Sequence, residues 1–176
     1  MANVNKTPGK TRRAEVAGGG FAGLTAAIAL KQNGWDVRLH EKSSELRAFG
    51  AGIYLWHNGL RVLEGLGALD DVLQGSHTPP TYETWMHNKS VSKETFNGLP
   101  WRIMTRSHLH DALVNRARAL GVDISVNSEA VAADPEGRLT LQTGEVLEAD
   151  LIVGADGVGS KVRDSIGFKQ DRWVSK

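Results

Sequence analysis

The chain has 176 residues, of which 40% are hydrophobic and 23% charged, so it is long enough to bury the core of one globular domain. Its 21 basic and 20 acidic residues leave a net charge of +1 and no basic stripe for nucleic acid, and its lack of cysteine excludes disulfides and thiolate metal sites. No run of residues is apolar over a membrane-spanning length. These features favour a cytoplasmic protein that binds neither nucleic acid nor membrane.

The first residues are basic. Lys6, Lys10 and Arg12 precede the first acidic residue, and no apolar h-region of a secretory signal accompanies them. We therefore expect residues 1–12 to form a disordered tail.

The next segment predicts a strand–helix–strand unit. Ala14–Ala17 is a short apolar strand, apart from one acidic residue, and Phe21–Asn33 is rich in helix-favouring residues. Gly34 follows as a C-terminal cap, and Asp36–Lys42 alternates apolar and polar residues as a half-buried strand does.

The turn between the first strand and the helix reads GGGFAG, which satisfies the pattern G-x-G-x-x-G. In that pattern Gly18 permits the tight turn, Gly20 lets a pyrophosphate approach the backbone, and Gly23 lets helix and strand pack closely. Glu41 lies 18 residues after Gly23, at the end of the second strand, where it can accept hydrogen bonds from ribose hydroxyls. The motif predicts a dinucleotide site; the alternative is a tight turn that binds nothing, with Glu41 as a surface residue.

The middle of the chain predicts two short helices and two strands. A glycine-containing loop leads to helices at Asn58–Leu66 and Leu69–Leu73, where leucines recur at helical spacing. After Pro79 and Pro80, the segments TYETWMHN and SVSKETF are rich in aromatic and β-branched residues and predict strands.

The second half returns to alternating helices and strands. Ser107–Leu120 is an amphipathic helix, VDISVN a strand, and Val131–Leu147 a β-meander that turns at DPEGR and QTGE. Leu151–Ala155 is a short buried strand, followed by a turn and a helix. This order predicts an α/β fold with a mostly parallel sheet and an inserted meander.

A second motif follows the last strand. It delivers Asp156 to the carboxyl end of the sheet, where doubly wound folds bind ligands, and Ser160 is placed to cap the next helix. Asp156 can orient a ribityl or ribose hydroxyl. Alone, the segment is equally an ordinary turn after a strand.

One histidine-rich segment carries no site. Ser107-His108-Leu109-His110-Asp111 contains the residue types of a catalytic triad, but neighbours on a helix cannot converge as nucleophile, base and orienter. His108 and His110 are two residues apart and point in different directions, unlike a zinc-binding pair at i and i+4. We predict no metal site.

Together the motifs resemble those of the FAD-dependent aromatic-ring monooxygenases, the single-component flavoprotein hydroxylases. That family combines the glycine motif and ribose acid with a G-A-D-G-x-x-S-x-V-R segment, matched here by Gly154–Arg163. It also has a G-A-G-I loop, matched by Gly50–Ile53, and a helix that opens R-x-x-L-x-x-x-L, matched by Arg106, Leu109 and Leu113. The resemblance covers nearly the whole chain and implies a Rossmann-like FAD-binding domain with the first strands of a substrate-domain sheet.

The resemblance implies specific cofactor contacts: glycine-loop backbone on the pyrophosphate, Glu41 and Lys42 around the adenosine, and the Val131 backbone beside the adenine. Arg47, Tyr54 and Arg106 would contact the flavin or its phosphates, although solvated arginines and a core tyrosine are the alternatives. The full implied set of FAD-binding residues is Gly18, Gly20, Phe21, Ala22, Gly23, Glu41, Lys42, Arg47, Tyr54, Arg106, Val131 and Asp156. Tyr82 is the implied substrate contact; the alternative is an ordinary sheet tyrosine.

The implied reaction uses NADH or NADPH and O2 to oxygenate a hydroxylated aromatic or a pyridine carboxylate, with opening of a pyridine ring as the closest parallel. The implied domains are a tail (1–12), a first FAD-binding segment (13–76), the start of the substrate sheet (77–103) and a second, truncated FAD-binding segment (104–176). The family's later G-D-A-A-H segment has no match here, so we expect this chain alone to bind FAD weakly if at all and not to turn over. An NAD-dependent dehydrogenase domain and an inactive nucleotide-binding fragment are the alternatives.

Overall fold

The computed structural model describes residues 11–95 and 101–167. The chain divides into two compact units, one from the described residues of 1–46 and 117–176, the other from those of 47–116. In chain order the elements are β1 (Arg13–Ala17), α1 (Phe21–Gln32), β2 (Asp36–His40), β3 (Gly52–Trp56), α2 (His57–Leu66), α3 (Leu69–Gln74), β4 (Thr81–Met86), β5 (Lys89–Thr95), β6 (Trp101–Thr105), α4 (Arg106–Ala119), β7 (Asp123–Ser125), β8 (Ala130–Ala133), β9 (Arg138–Leu141), β10 (Val146–Glu148), β11 (Leu151–Gly154) and α5 (Lys161–Ser165).

The first unit is built on a four-stranded sheet in the order β11-β1-β2-β7. All three strand pairs are parallel, and β1 lies between β2 and β11. Helix α1 connects β1 to β2, which makes the predicted strand–helix–strand unit. The predicted α/β fold with a mostly parallel sheet is confirmed.

Alternation along the strands gives this sheet two different faces. One face carries the fully buried Ala14 and Val16 of β1 with Val37 and Leu39 of β2, and α1 packs on these strands through residues that include Leu24. Burial of a leucine or valine side chain contributes about 1.5–3 kcal/mol, so this apolar layer is a main source of the unit's stability.

The three-stranded antiparallel sheet β10-β9-β8 is the predicted meander. Its Leu139 and Leu141 form a cluster with Ala17 of β1 and Val162 of α5. Glu15 is two residues before Ala17 on β1, so both side chains lie on the same face of the sheet, opposite α1. Glu15 is fully buried there. The chain enters β8 at Ala130, one residue before the predicted start.

In the second unit two strands were not predicted. The loop that contains Gly50 and Gly52 was expected to lead directly into helices. Instead, Gly52–Trp56 forms β3 and pairs antiparallel with β6, Trp101–Thr105. The predicted pair of strands is present as the hairpin β4-β5, whose turn residues His87 and Asn88 have positive φ angles of 47° and 61°. Such values suit a two-residue hairpin turn.

Several expectations fall outside the described residues: those on residues 1–10 of the predicted tail, on Phe96 and on residues 168–176. Arg12 is described, and its guanidinium carbon lies 4.2 Å from the centre of the Trp35 ring. Of the helices in the described ranges, none combines the length and apolar character needed to cross a bilayer.

Candidate functional site

A cavity of about 240 Å³ opens at the carboxyl edge of the parallel sheet. Residues that follow β1, β2, β7 and β11 contribute to it, so it lies where doubly wound sheets bind ligands. Its lining residues are Gly18, Gly20, His40, Glu41, Lys42, Ser128, Glu129, Ala130, Ala155, Asp156, Gly157, Gly159 and Lys161.

The glycine loop needs glycine at two positions for packing and leaves open space at a third. Gly18 has a φ of +105°, and a Cβ there would overlap the carbonyl oxygen of Ala155. A Cβ at Gly23 would overlap the carbonyl oxygen of Gly18. In contrast, a Cβ at Gly20 would have no atom within 4 Å. Gly18 and Gly23 therefore hold the turn, whereas Gly20 keeps its backbone accessible from the cavity.

Glu41 supports the glycine loop directly. Its Oε2 accepts a hydrogen bond from the Gly19 N–H (2.8 Å), and its Oε1 accepts one from the Ser43 N–H (2.9 Å). Partial burial acts to raise the pKa of Glu41, but the hydrogen bonds from Ser43 and Gly19 and the charge of Lys42 outweigh it, so the pKa lies below its ordinary value. A carboxylate has about four acceptor sites, so Glu41 can hold the loop and still accept ribose hydroxyls.

Gly19 matters more than its place in the motif suggests, because the motif leaves this position variable. Its N–H is bonded to Glu41, and a Cβ there would run into the side chain of Leu46 and lie 3.1 Å from Glu41 Oε2.

The second motif forms a capped turn on the other side of the cavity. The Asp156 carboxylate accepts hydrogen bonds from the Ser160 hydroxyl and from the Val162 N–H (3.2 Å). Ser160 Oγ in turn accepts from the Arg163 N–H at 3.0 Å, so Ser160 caps α5 as predicted. These bonds fix Asp156 at the cavity wall.

Charged side chains of both signs surround the cavity. Lys161 Nζ lies 2.6 Å from Glu129 Oε1, and both residues line it. Lys42 adds a second cation on the side of β2, while Glu41 and Asp156 add carboxylates. The cations suit phosphate oxygens, and the carboxylates suit sugar hydroxyls.

Val131 does not line the cavity, although its neighbour Ala130 does. It lies at a β-bulge: Ala130 pairs with Leu141 and Ala132 with Thr140, so the register skips Val131. A bulge residue is left out of the strand ladder, so this position suits the backbone contact that was predicted for it.

A buried polar chain reaches the cavity from inside the sheet. His40 Nε2 lies 2.7 Å from Glu15 Oε2, and His40 Nδ1 lies 2.8 Å from Ser128 Oγ. Sequence reasoning missed His40 and Ser128 as cavity residues. Glu15 was the available signal, because it interrupts an otherwise apolar strand.

Sequence reasoning also missed Glu129, Gly159 and Lys161 as cavity residues. Gly159 and Lys161 belong to the predicted second motif, and Glu129 lies two residues before Val131. Each therefore lies close to a residue that the sequence had singled out.

Four predicted site residues belong to the second unit and do not line this cavity. Arg106 Nε donates to the Gly52 carbonyl oxygen (3.3 Å), and the Arg47 guanidinium lies 4.7 Å from the centre of the Phe49 ring. Tyr54 and Tyr82 lie on β3 and β4, about half exposed.

The rest of the predicted set lies in α1. Phe21 and Ala22 open the helix after Gly20, where backbone N–H groups lack intrahelical acceptors. Thus the structure brings Gly18, Gly20, Glu41, Lys42 and Asp156 together at one cavity.

Comparison with known proteins identifies the family. Residues 11–174 match the FAD binding domain family. This chain belongs to that family. It is 38% identical over 172 residues to a 2-heptyl-3-hydroxy-4(1H)-quinolone synthase of Mycobacteroides abscessus, covering 90% of this chain and 44% of that protein. It is 36% identical over 164 residues to a 3-amino-4-hydroxybenzoate 2-monooxygenase of Streptomyces cremeus, covering 88% and 42%.

The FAD binding domain of this chain also matches solved structures. The tetrameric form of 2-methyl-3-hydroxypyridine-5-carboxylic acid oxygenase superposes with a TM-score of 0.92 and is 99% identical, over 96% of this chain and 45% of that chain. The chain thus spans less than half the length of these relatives.

The cavity fits a portion of an FAD molecule. Gly20 provides a cradle that a Cβ would fill, and it directly precedes the first turn of α1. A volume of about 240 Å³ is below the range usual for drug-sized ligands, which suits one portion of a dinucleotide.

Proposed function

We propose that this chain is the FAD-binding portion of a flavoprotein monooxygenase that uses NADH or NADPH and O2 to oxygenate a hydroxylated aromatic or pyridine carboxylate. The observation that carries the proposal is that both motifs, Gly18–Gly23 and Gly154–Arg163, contribute to one cavity at the carboxyl edge of the sheet. A plain nicotinamide domain requires only the first of these motifs.

Each side of the cavity has a role toward FAD. Gly20 and the first turn of α1 would bind the pyrophosphate through backbone N–H groups, and Lys161 would add positive charge. Glu41 would accept hydrogen bonds from the adenosine ribose, and the backbone near Val131 would contact the adenine. When bound, FAD supplies the redox chemistry, and the protein supplies its position and its surroundings.

The proposed substrate is 2-methyl-3-hydroxypyridine-5-carboxylate, oxygenated with ring opening during pyridoxine degradation. The support is the 99% identity to the oxygenase named for that acid. Tyr82 is the proposed substrate contact, and Tyr54, Arg47 and Arg106 are proposed flavin contacts. The absence of cysteine supports a cytoplasmic location.

Titration of the purified chain with FAD, followed by quenching of flavin fluorescence, tests the cofactor assignment. We expect FAD to bind weakly, and ADP to compete with it. Binding of NAD in the absence of any FAD binding would instead indicate a dehydrogenase domain.

The reaction is tested separately, in the longer polypeptide of the 99% identical oxygenase carrying this segment. We expect consumption of NADH or NADPH and O2 to depend on 2-methyl-3-hydroxypyridine-5-carboxylate. If no hydroxylated aromatic or pyridine carboxylate changes the rate at which NADH or NADPH and O2 are consumed, the proposed activity is contradicted.

A further inference from the structure

A polar chain connects the interior of the sheet to the wall of the cofactor cavity. Glu15 is fully buried and His40 is 2% exposed, and their side chains meet at 2.7 Å. The other ring nitrogen of His40 meets the hydroxyl of Ser128 at 2.8 Å. Because His40 and Ser128 both line the cavity, the chain ends where a ligand would be.

The polar chain of Glu15, His40 and Ser128 costs free energy that packing alone would not require. Glu15 lies between apolar residues of β1, and its Oε1 has no hydrogen-bond partner among the residues that the structure describes. Burial of a polar or charged group costs free energy unless its hydrogen bonds are satisfied, and an apolar residue at the same position would avoid this cost. The arrangement therefore indicates a role beyond filling the interface between sheet and meander.

The chemistry of the three groups sets the direction of the hydrogen bonds. An ionised carboxylate only accepts, so in an arrangement with Glu15 ionised and His40 neutral, Nε2 of His40 would carry the proton that Glu15 binds. Nδ1 would then be an acceptor, and the Ser128 hydroxyl would donate a hydrogen bond to it. Ser128 Oγ is left able to accept further hydrogen bonds but not to donate one.

The backbone around Ser128 is held independently of this side chain. The Ser128 N–H donates to the Glu41 carbonyl oxygen (2.8 Å), and the Asn127 N–H donates to the Ser43 carbonyl oxygen (2.9 Å). Substitution of Ser128 by alanine therefore removes the hydroxyl without releasing the segment. The same bonds place Ser128 beside Glu41, the predicted ribose acid.

We propose that Glu15 is a positioning residue for cofactor binding, which acts through His40 to make the Ser128 hydroxyl an acceptor for a donor group on the adenosine half of FAD. This inference rests on the proposed function. Adenosine has two kinds of donor, the ribose hydroxyls and the exocyclic amine of adenine, and Ser128 would accept from one of them.

Affinity for ADP, measured by calorimetry on this chain, tests the inference. Glu15→Gln is isosteric but removes the charge that fixes the His40 tautomer, and Ser128→Ala removes the acceptor. We expect each variant to weaken ADP binding about three- to tenfold, the value of one hydrogen bond, and the double variant to bind no more weakly than the weaker single one. Asp123→Asn, which removes an exposed carboxylate from β7, is the control and should bind ADP as the parent does.

Three analogues distinguish the donor groups. Inosine diphosphate lacks the exocyclic amine, and 2′-deoxy-ADP and 3′-deoxy-ADP each lack one ribose hydroxyl. The effect of Ser128→Ala should disappear with the analogue that lacks the relevant donor.

Nitrogen-15 spectroscopy of the His40 ring supplies a readout that packing alone would not change. We expect the Nε2–H tautomer in the parent and a loss of that preference in Glu15→Gln. A proton on Nδ1 in the parent overturns the inference, as does ADP binding that Ser128→Ala leaves unchanged. If Glu15→Gln does not fold, the ADP affinity of Ser128→Ala and the tautomer of His40 in the parent test the inference. Absence of ADP binding by the parent overturns the proposed function and the inference together.

Discussion

The two edges of the parallel sheet each carry a cavity, and the larger one is not the candidate site. At the amino edge, a cavity of about 550 Å³ is lined mainly by charged residues, including Arg13, Asp36 and Arg138. These charges bind one another or their neighbours: Arg13 lies 3.7 Å from Asp36, and Arg138 lies 2.6 Å from Asp134. The cavity at the carboxyl edge has less than half that volume.

The difference lies in the backbone. At the carboxyl edge, β1 turns into a helix through glycines, and a Cβ at Gly20 would meet open space, so a ligand can approach the backbone there. At the amino edge, Arg13, Asp36, Glu136 and Arg138 are exposed and already in ion pairs, and exposed pairs of this kind contribute about 0–1 kcal/mol. An open approach to the backbone therefore supports the carboxyl edge as the candidate site more strongly than cavity volume supports the amino edge.

The largest effect is expected from Gly23→Ala at the carboxyl edge. The added Cβ would overlap the Gly18 carbonyl oxygen, which is backbone and cannot rotate away. We expect a loss of about 1–3 kcal/mol in the free energy of unfolding, measured with urea, and loss of nucleotide binding. The control is Gly65→Ala in α2, where a Cβ would have no atom within 4 Å, so this variant should gain about 0.5–1 kcal/mol. Equal stability of the two variants would show that the turn can relax.

Gly20→Ala should separate binding from stability. Gly20 has a φ of −78° and open space around it, so alanine fits the free protein, and stability should change by no more than about 1 kcal/mol. The methyl group would occupy the space needed by the pyrophosphate, so FAD affinity in a fluorescence titration should fall about tenfold or more, or about 1.4 kcal/mol. Unchanged affinity would place the phosphates elsewhere.

Acidification should weaken the carboxyl edge through Glu41. Hydrogen bonds to its charged form lower its pKa in the folded protein, so it stabilises the fold above its ordinary value of 4.5, and this contribution disappears as pH falls through the lower folded value. The difference in unfolding free energy between the parent and Glu41→Gln should be constant above about pH 5.5 and shrink below 4.5. A difference that grew on acidification would contradict this assignment.

The smallest effect is expected at the amino edge. Asp36→Asn removes an exposed ion pair with Arg13, so stability should change by less than about 1 kcal/mol, and FAD affinity should not change. A tenfold loss of FAD affinity in this variant would reverse the assignment of the two edges.

The sequence predicted the first unit well because its signals are local. Alternating apolar residues, the glycine turn and the Gly34 cap act within a few positions, so β1, α1 and β2 were placed within one or two residues. Both motifs also follow strands, which made their convergence at one edge a consequence of parallel pairing.

What the sequence did not reveal depends on distant partners. Strand β3 forms by pairing with β6, about fifty residues later, and its GIYLW segment begins with glycine, which reads as a loop. Similarly, His40 meets Ser128 across 88 positions, so no local pattern links them. Glu15 was recognisable as an acidic residue within an apolar strand, but this observation does not reveal that it contacts His40.

The pairing of β1 with β11 has a consequence for how the site forms during synthesis. Ala14 lies opposite Leu151, so β1 lacks one of its two neighbours until the segment around Leu151 has been made. Asp156 and Lys161 follow that strand, whereas Gly18 and Glu41 precede it by about a hundred residues or more. Because contacts between distant residues slow folding, a nascent chain would carry the glycine loop for some time before it could enclose a nucleotide.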